Sequence, residues 1–412
     1  MRYEDYIKEG YEPDEEELTC LYSFVHDSSV DFEWAAGGIA AESSIGTWDP
    51  DLATMREDIE DLGAKVYSMN KEEGIIEVAY PQDLFEPGNM PQILSSITGN
   101  IFGLDELQRL KLLDVNFSKD LRDSFPGPQL GISGVREFLN ISERPLVGTI
   151  VKPKLGLNEE QHSEVAYNAW KGGLDIVKDD ENLASMSFNE FYERIEKTLS
   201  KRDKVEDETG EEKVYFPNIT APTDEMKRRA DAVINNGGKY VMIDILTSGW
   251  SAVQEMREYL DGKELGVHAH RAQHAAYTRL EDHGISMLSI AKFARLVGVD
   301  NLHAGTVIGK MEGGKEEVLD IYDFLRSDIS DMKKTIPVAS GGLHPGLVDE
   351  LMGFFGTDFV VQAGGGVHGH PDGTLAGYKA LRQAVDASVK GVSLEKYGEK
   401  KPELSKALKK WS

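Results

Sequence analysis

The stretch that decides the fold is Gly173-Leu174-Asp175-Ile176-Val177-Lys178-Asp179-Asp180-Glu181. Its short apolar run ends abruptly in a lysine and three consecutive acids, a pattern typical of a buried strand that carries charged side chains at its carboxyl end. In α/β barrels the chemistry takes place at the carboxyl ends of the strands. A lysine beside carboxylates also fits a plain surface ion pair, so the rest of the chain must decide between the two interpretations.

The composition indicates one large and one smaller globular domain. The chain has 412 residues, 40% of them hydrophobic, and a formal net charge of -27. Such acidity argues against nucleic acid or an anionic membrane as the main partner, because both favour a basic surface. No apolar run is long enough to span a membrane, and the acidic start, Met1 to Glu17, has no signal-peptide pattern. Because Cys20 is the single cysteine, we expect no intramolecular disulfide and a cytoplasmic protein.

The first part of the chain mixes short strands and helices without regular alternation. This order predicts a small α+β domain over residues 1–127, with a ferredoxin-like antiparallel sheet. The predicted strands are Leu18–Val25, Ala64–Met69, Gly74–Ala79 and Ile93–Ile97. The predicted helices are Phe32–Ala41, Asp51–Leu62 and Asp105–Leu112. A corner at Pro126-Gly127-Pro128 marks the expected boundary.

Residues 128–412 follow a different rhythm, in which short apolar runs alternate with helical stretches and a helical tail ends the chain. The predicted strands are Leu146–Lys152, Leu174–Lys178, Val214–Ile219, Tyr240–Ile245, Gly266–His270, Asn301–Ala304, Ile336–Ser340 and Phe359–Ala363. Eight β-α units predict a (β/α)8 TIM barrel, with a doubly wound open sheet as the alternative. Asn158 is expected to cap a helix over Glu159–Trp170. The charged segment Arg202–Lys213 predicts an exposed loop or a frayed helix end.

Polar residues and glycines follow the strands of the predicted barrel. Taken singly, a lysine is usually solvated, a histidine is more often a hydrogen-bonded core residue than a catalytic one, and a glycine run can simply turn the chain. On a barrel, however, all eight strand ends converge on one mouth, which favours a functional site. The residues concerned are Lys152, Lys154, Lys178, Asp180, Glu181, His270, Arg271, His303, Ser340, Gly341, Gly342, Gly364 and Gly365.

The residue types suggest which chemistry this mouth carries out. Asp180 and Glu181 offer the hard oxygen ligands that suit Mg2+. The glycine-rich turns after strands seven and eight offer backbone N–H groups to a phosphate, and Lys310 lies on a glycine-flanked loop that could close as a lid. Positive charge from Lys152, Arg271 and other residues would hold a second anionic group. The sequence therefore predicts a doubly phosphorylated small substrate whose enolate a metal ion stabilises.

Lys178 is a puzzling neighbour for a metal, because an ammonium repels Mg2+. Either the lysine forms a salt bridge with the acids and no metal binds, or its amine becomes anionic. Addition of CO2 would give a carbamate and a third oxygen ligand. The residues alone leave both outcomes open.

Residues Gly173 to Asn182 resemble the activation-site signature of the ribulose-1,5-bisphosphate carboxylase/oxygenase (RuBisCO) large chain. The resemblance extends over nearly the whole chain and is closest to the archaeal form III group. The further motifs that carry it are Ala41-Glu42-Ser43-Ser44, Gly46-Thr47-Trp48, Gly99-Asn100-Ile101-Phe102-Gly103, Lys152-Pro153-Lys154, His268-Ala269-His270-Arg271, His303-Ala304-Gly305-Thr306, Gly309-Lys310-Met311-Glu312-Gly313, Ser340-Gly341-Gly342 and Gly364-Gly365-Gly366.

The resemblance implies an activity and a role for each site residue. The enzyme would be a lyase that carboxylates ribulose 1,5-bisphosphate through an enediolate, giving two 3-phosphoglycerate, with O2 competing in a monooxygenase side reaction. Lys178 as a carbamate would bind Mg2+ with Asp180 and Glu181, and would be the enolising base. Lys152, His270 and Lys310 are the other implied catalytic residues. The implied substrate-binding residues are Lys154, Arg271, His303, Ser340, Gly341, Gly342, Gly364, Gly365, Glu42, Thr47, Trp48 and Asn100.

The resemblance also implies the partners and defines the rival functions. Glu42 and Asn100 would reach the site of a neighbouring subunit, so a homodimer is the minimum unit, possibly assembled further, and no small subunit is expected. Form III membership suggests salvage of nucleotide-derived pentose phosphate. One departure is Ile150, which stands where plant-type chains have a threonine. The alternatives are a RuBisCO-like enolase or isomerase acting on a methylthio-sugar phosphate, and a catalytically inactive barrel that serves as a scaffold.

Overall fold

The computed structural model describes residues 2–47, 49, 53–309 and 314–411. The chain divides into two compact units: Met1–Pro126 with Gln273–Leu296, and Gly127–Ala272 with Val297–Ser412. The predicted boundary between residues 127 and 128 divides the chain once. In the structure, Gln273–Leu296 also groups with the first unit.

The described residues form strands, α-helices and short 3-10 turns. The strands are β1 (Leu18–His26), β2 (Lys65–Asn70), β3 (Ile75–Tyr80), β4 (Leu107–Asn116), β5 (Leu146–Ile150), β6 (Ile176–Lys178), β7 (Val214–Phe216), β8 (Tyr240–Asp244), β9 (Gly266–His270), β10 (Gly284–Ile285), β11 (Asn301–His303), β12 (Ile336–Ser340) and β13 (Val360–Gln362). The α-helices span Phe32–Glu42, Glu57–Glu60, Met90–Ile97, Lys119–Asp123, Gly131–Leu139, Glu159–Lys171, Phe191–Thr209, Thr223–Asn235, Ile245–Ser248, Trp250–Tyr259, Ala275–Thr278, Met287–Val297, Lys315–Arg326, Val348–Phe355, Gly365–His368, Thr374–Val389, Leu394–Gly398 and Pro402–Trp411. The 3-10 turns span Tyr3–Tyr6, Gln82–Leu84, Asn100–Gly103 and Pro345–Leu347.

The first unit is built on a five-stranded sheet in the order β10-β4-β1-β3-β2. All its pairings are antiparallel except that of the two-residue β10 with β4, so the predicted α+β fold with an antiparallel sheet is confirmed. Leu18, Cys20, Tyr22 and Phe24 alternate with more exposed residues along β1, because successive side chains of a strand point to opposite faces. Cys20 is therefore a buried packing residue, as predicted.

Two predicted elements of this unit are wrong. Ile93–Ile97, predicted as a strand, lies in the helix Met90–Ile97, which Asn89 caps by accepting a hydrogen bond from the Gln92 N–H at 3.1 Å. Met90, Ile93 and Ile97 are all buried on one helical face. Asp105–Leu112, predicted as a helix, lies mostly in β4, which the long antiparallel pairing with β1 stabilises.

The second unit is a closed parallel barrel, and all eight predicted barrel strands are present. The strand order is β7-β6-β5-β13-β12-β11-β9-β8. The remaining gap, between β7 and β8, is closed by a parallel bridge from Asn218 to Met242. There the Ile219 N–H donates to the Met242 carbonyl at 3.0 Å, and the Met242 N–H donates to the Pro217 carbonyl at 2.8 Å. Closure confirms the TIM barrel over the open sheet.

A helix and a buried carboxylate close the amino-terminal end of the barrel. Ile132, Val135 and Leu139 of the helix Gly131–Leu139 pack against core residues of the barrel strands. Asp300, which precedes β11, accepts backbone hydrogen bonds from Leu130, Gly131 and Val267 at 2.6, 2.8 and 2.8 Å. The loop before the helix is thereby fastened to two neighbouring strands.

The outer helices begin and end at recognisable signals. Asn158 caps the helix Glu159–Lys171 in a capping box with Gln161, as predicted. The prediction of a loop or frayed end over Arg202–Lys213 is wrong, because the helix Phe191–Thr209 continues through most of that segment. It ends at Gly210, whose φ of 68° is the left-handed conformation that glycine adopts readily. Within the described ranges, no helix combines the length and the apolar character needed to cross a membrane.

Candidate active site at the carboxyl ends of the barrel strands

Lys178 ends β6 as a fully buried lysine, with only 1% of its surface exposed. Its Nζ donates to the Asp179 carbonyl at 2.8 Å and lies 4.0 Å from Glu181 Oε2. Burial lowers the pKa of Lys178 below its ordinary value, although Glu181 and Asp180 oppose this effect. This shift favours the neutral, nucleophilic form of the amine.

Asp180 follows as a buried carboxylate directed to the mouth. Its Oδ2 accepts a hydrogen bond from Lys152 Nζ at 2.7 Å, and its Oδ1 accepts from the Asn182 amide at 3.0 Å. Burial alone would raise the pKa of Asp180, but the hydrogen bonds from Lys152 and Asn182 outweigh it and lower the pKa. Strands β5 and β6 thus bring together Lys152, Lys178, Asp180 and Glu181, as the sequence predicted.

Asp179 lies between these residues in sequence but its carboxylate is buried in a separate polar network. It accepts hydrogen bonds from the Tyr215 hydroxyl and, at 2.9 Å, from the Asn218 N–H. Arg194 and His162 lie 3.3 and 3.1 Å from its two oxygens. Burial alone would raise the pKa of Asp179, but Arg194 and the hydrogen bonds outweigh it and lower the pKa well below the ordinary value. The network fastens the end of β6 to its neighbours.

Three histidines and a serine lie at or beneath the mouth on β9, β11 and β12. His303 Nε2 is 3.0 Å from His268 Nε2, and His303 Nδ1 is 2.8 Å from Ser340 Oγ. The His270 ring packs edge-on against His303, with centroids 4.7 Å apart, and its Nε2 lies 3.6 Å from Glu181 Oε2. Arg271 directly follows His270 at the end of β9. These residues connect the acidic cluster with the opposite side of the barrel.

Sequence reasoning gave Asp244 no role, yet its Oδ1 lies 3.1 Å from His270 Nδ1. Its other oxygen is 3.4 Å from the Asn218 side-chain amide. The signal that could have found it is register: Asp244 and His270 are paired residues at the ends of adjacent parallel strands. Asp244 thus adds a carboxylate beside His270 at the mouth.

Glycine-rich turns follow β12 and β13. Gly341 and Gly342 have φ angles of 107° and 69°, which a residue with a side chain adopts only with strain. A Cβ placed on Gly364 would lie 3.8 Å from Lys152 Cε, so this turn borders the lysine. The short helix Gly365–His368 begins there, and its first N–H groups have no acceptor within the helix.

The remaining predicted site residues are on other segments of the chain. Lys154 is exposed in the loop after β5. In the first unit, Glu42 ends the helix Phe32–Glu42 and accepts from the Tyr3 hydroxyl at 3.0 Å, Thr47 follows that helix, and Asn100 begins a 3-10 turn. Trp48 and Lys310 lie outside the described residues.

A cavity of about 600 Å³ lies at the amino-terminal end of the barrel strands, the opposite end from Lys178. Arg144 and Asp175 line it, but they are committed to each other through two hydrogen bonds of 2.6 and 2.7 Å. Asp175 also accepts from the Val147 N–H at 2.9 Å. Because these charges serve to fasten β5 and β6, we place the active site at the mouth instead.

A closed (β/α)8 barrel with lysines, carboxylates, histidines and glycine-rich turns gathered at its strand ends defines a TIM-barrel enzyme. Two family models match the chain: "Ribulose bisphosphate carboxylase large chain, catalytic domain" over residues 131–411, and the N-terminal domain of the same large chain over residues 5–121. The chain therefore belongs to the RuBisCO large chain family.

Relatives of known name are similar over their full length. A ribulose bisphosphate carboxylase of Pyrococcus abyssi is 51% identical over 411 residues, covering 99% of this chain and 96% of the relative. One of Methanocaldococcus jannaschii is 51% identical over 430 residues, covering 99% of this chain and 100% of the relative. These archaeal relatives agree with the form III resemblance.

Solved structures of archaeal Rubisco have the same fold. Octameric ribulose-1,5-bisphosphate carboxylase/oxygenase from Pyrococcus horikoshii, in complex with a sulfate ion, gives a TM-score of 0.96 at 49% identity, covering 100% of this chain and 97% of that chain. Dimeric archaeal Rubisco from Hyperthermus butylicus gives 0.94 at 44% identity and covers 99% of both chains. The TIM-barrel fold and the family are thus supported independently.

Proposed function

We propose that this protein catalyses the Mg2+-dependent carboxylation of ribulose 1,5-bisphosphate to two 3-phosphoglycerate, with oxygenation as a competing reaction. The observation that carries the proposal is the buried Lys178 beside Asp180 and Glu181, with its pKa lowered by burial. A buried ammonium is costly, and Lys178 Nζ lies no closer than 4.0 Å to the Glu181 carboxylate, so this position favours a neutral, reactive amine.

The residues present fit a magnesium site on one condition. Across the described residues, no group of three or more His, Cys, Asp and Glu side chains is placed to hold a metal. Two hard carboxylates, Asp180 and Glu181, need a further oxygen ligand, and a carbamate on Lys178 would supply it. Carbamate formation joins the neutral amine nitrogen to the carbon of CO2 and releases one proton. Mg2+ bound there would act as a Lewis acid toward the oxygens of the substrate.

The surrounding residues would bind the substrate and move protons. Lys152, 2.7 Å from Asp180 and partly exposed, is placed to give a proton to or take one from a ligand in the mouth. His270, beside Glu181 and Asp244, is placed to assist a second proton transfer. From the family resemblance, we assign to Lys310, on the predicted lid, the stabilisation of the added carboxylate.

We assign the remaining residues to holding the substrate. Anionic phosphates suit the guanidinium and backbone N–H groups at the ends of β9, β12 and β13. The substrate-binding residues in this proposal are Lys154, Arg271, His303, Ser340, Gly341, Gly342, Gly364 and Gly365, with Glu42, Thr47, Trp48 and Asn100 from the first unit of a neighbouring subunit. We propose a homodimer as the minimum unit, alone or assembled further, without a small subunit. The form III resemblance is the support for a cytoplasmic role in nucleotide-linked pentose phosphate salvage.

The experiment is incubation of the purified protein with ribulose 1,5-bisphosphate, Mg2+ and labelled bicarbonate. We expect acid-stable label in 3-phosphoglycerate, and none from the Lys178→Ala variant, since no carbamate can form. Lys213→Ala is a matched control: Lys213 is also buried, but its Nζ is 2.7 Å from Glu211 Oε2 away from the mouth. Turnover of a methylthio-sugar phosphate without label fixation would support the RuBisCO-like alternative instead.

A further inference from the structure

His268, His303 and Ser340 form a hydrogen-bonded chain that runs from the barrel core to the mouth. His268 is fully buried, and its ring stacks on Phe216 with centroids 4.6 Å apart. Its Nε2 meets His303 Nε2 at 3.0 Å, and His303 Nδ1 meets Ser340 Oγ at 2.8 Å. Within the described part of the chain, no hydrogen-bond partner reaches His268 Nδ1. The hydrogen-bonded chain thus ends at His268 in the core and reaches the mouth through Ser340.

Few arrangements of protons satisfy this geometry. Two ring nitrogens 3.0 Å apart form a hydrogen bond only when one carries a proton and the other a lone pair. If His303 were the donor in this contact, His268 would carry its own proton on Nδ1. That N–H would then be buried without an acceptor, and buried unpaired N–H groups are rare in native proteins.

A positively charged ring does not avoid this difficulty. An imidazolium at His268 has a proton on Nδ1 by definition, and an imidazolium at His303 forces the Nδ1–H form of His268. Burial lowers the pKa of both rings well below the ordinary value. Both rings are therefore neutral.

We propose that His268 is a positioning residue that holds His303 as its Nδ1–H tautomer. His268 Nε2–H donates to His303 Nε2, and His303 Nδ1–H then donates to Ser340 Oγ. Because the Ser340 oxygen already accepts a hydrogen bond from His303, the Ser340 O–H can donate to a ligand in the mouth. The opposite tautomer would make Ser340 donate to His303 and present only lone pairs, which repel an anionic oxygen.

The consequence for the site is that the Ser340 hydroxyl has a fixed hydrogen-bonding direction. His268 makes Ser340 a hydrogen-bond donor to an anionic group of the substrate, although His268 itself lies too deep to touch a ligand. That this group belongs to a sugar bisphosphate rests on the proposed function. The tautomer itself does not, since it follows from contacts within the protein.

Neutron diffraction from deuterium-exchanged crystals of the full protein tests the tautomer directly. We expect deuterium on His268 Nε2 and on His303 Nδ1, with none on His268 Nδ1. Deuterium on His268 Nδ1 or on His303 Nε2 would overturn the proposal, whatever reaction the enzyme catalyses. Failure of the proposed function would instead appear as absent carboxylation with this proton pattern intact.

Kinetics then separate a positioning role from a merely structural one. His268→Leu removes the donor, and we expect the KM for ribulose 1,5-bisphosphate to rise roughly 10- to 100-fold, with a smaller change in kcat. His268→Gln places an amide N–H near the Nε2 position and should return KM to within about threefold of the parent. In a Ser340→Ala background, His268→Leu should add less than about twofold, because the group it orients is gone.

Two kinetic results would contradict the proposal. One is a His268→Gln variant as defective as His268→Leu, and the other is full additivity of His268→Leu with Ser340→Ala. Thermal unfolding of each variant identifies those that fail to fold, and if His268→Leu is among them the neutron result on the parent protein decides.

Discussion

We predict that Asp179→Asn, which replaces one carboxylate oxygen with an amide nitrogen, strongly lowers the free energy of unfolding. It keeps the shape of the side chain but removes the charge that faces Arg194, 3.3 Å away, with both side chains fully buried. The amide would also replace a carboxylate oxygen that accepts from Tyr215 or Asn218 with an N–H group. A donor would then face a donor in a site without water access.

The expected cost follows from the uncompensated guanidinium. Removing one partner of a buried ion pair costs about 3–5 kcal/mol. Arg194 keeps hydrogen bonds to Asn189 Oδ1 at 2.9 Å and to the Ala184 carbonyl at 2.8 Å, so we expect about 3 kcal/mol, the lower end of this range. Urea denaturation followed by circular dichroism measures the loss.

Two controls make the measurement specific. Asp203 is 59% exposed, and Arg202 keeps a hydrogen bond to the Gly237 carbonyl at 2.8 Å, so Asp203→Asn should cost less than about 1 kcal/mol. Adding Arg194→Met to Asp179→Asn should recover part of the lost stability, because the unpaired charge is then removed. A cost for Asp179→Asn that equals that of Asp203→Asn would refute the reasoning.

The pH dependence of stability is a second test of the Asp179 ion pair, and its direction can be predicted. The pKa of Asp179 is lowered in the folded protein from its ordinary value of 3.8. Its contribution to stability is therefore present above that value and is lost as the pH falls from about 4 toward the lowered pKa. The parent should lose stability over this acid range more steeply than Asp179→Asn, and equal slopes would contradict the assignment.

Other predictions follow from single contacts. Asp300→Ala leaves three N–H groups without their acceptor, two of them in buried contacts, so we expect a loss of several kcal/mol; an unchanged urea midpoint would contradict this role of Asp300. Asn158→Ala removes the cap of one barrel helix and should cost about 1 kcal/mol in the same assay. Lys152→Gln should lower the rate of bisphosphate carboxylation at least about 100-fold, because its proton transfer is lost. The same variant should shift the unfolding midpoint little, since Lys152 is 36% exposed and its ion pair with Asp180 is partly solvated.

The barrel could be predicted from sequence because its strands are buried on both faces. Such strands are continuous apolar runs with clear ends, as in Ile336–Ser340, and their alternation with helices indicates parallel pairing. The first unit was harder, because a short apolar run does not distinguish a helix from a strand. Ile93–Ile97 is a helix through the cap at Asn89, and Leu107–Asn116 is a strand through its pairing with β1. Both depend on partners that local pattern does not contain.

In the site, too, some features are visible in the local sequence and others depend on contacts between distant residues. The charged residues at strand ends, such as Lys178 and Asp180, are visible in sequence because they interrupt apolar runs. That Asp179 is directed into the barrel wall, and that Asp244 faces His270, depends on register and side-chain direction. The proposed role of His268 depends further on its Nδ1, for which the described part of the chain offers no hydrogen-bond partner, and sequence does not contain that information.

The central claim is that the buried amine of Lys178 takes up CO2 and completes a metal site with Asp180 and Glu181. The most direct measurement is the 13C spectrum of the protein incubated with Mg2+ and 13C-bicarbonate. We predict a carbamate resonance in the parent and in Lys213→Ala, and its absence from Lys178→Ala. Persistence of the resonance in Lys178→Ala, or its absence from a parent that fixes labelled CO2, would contradict the account.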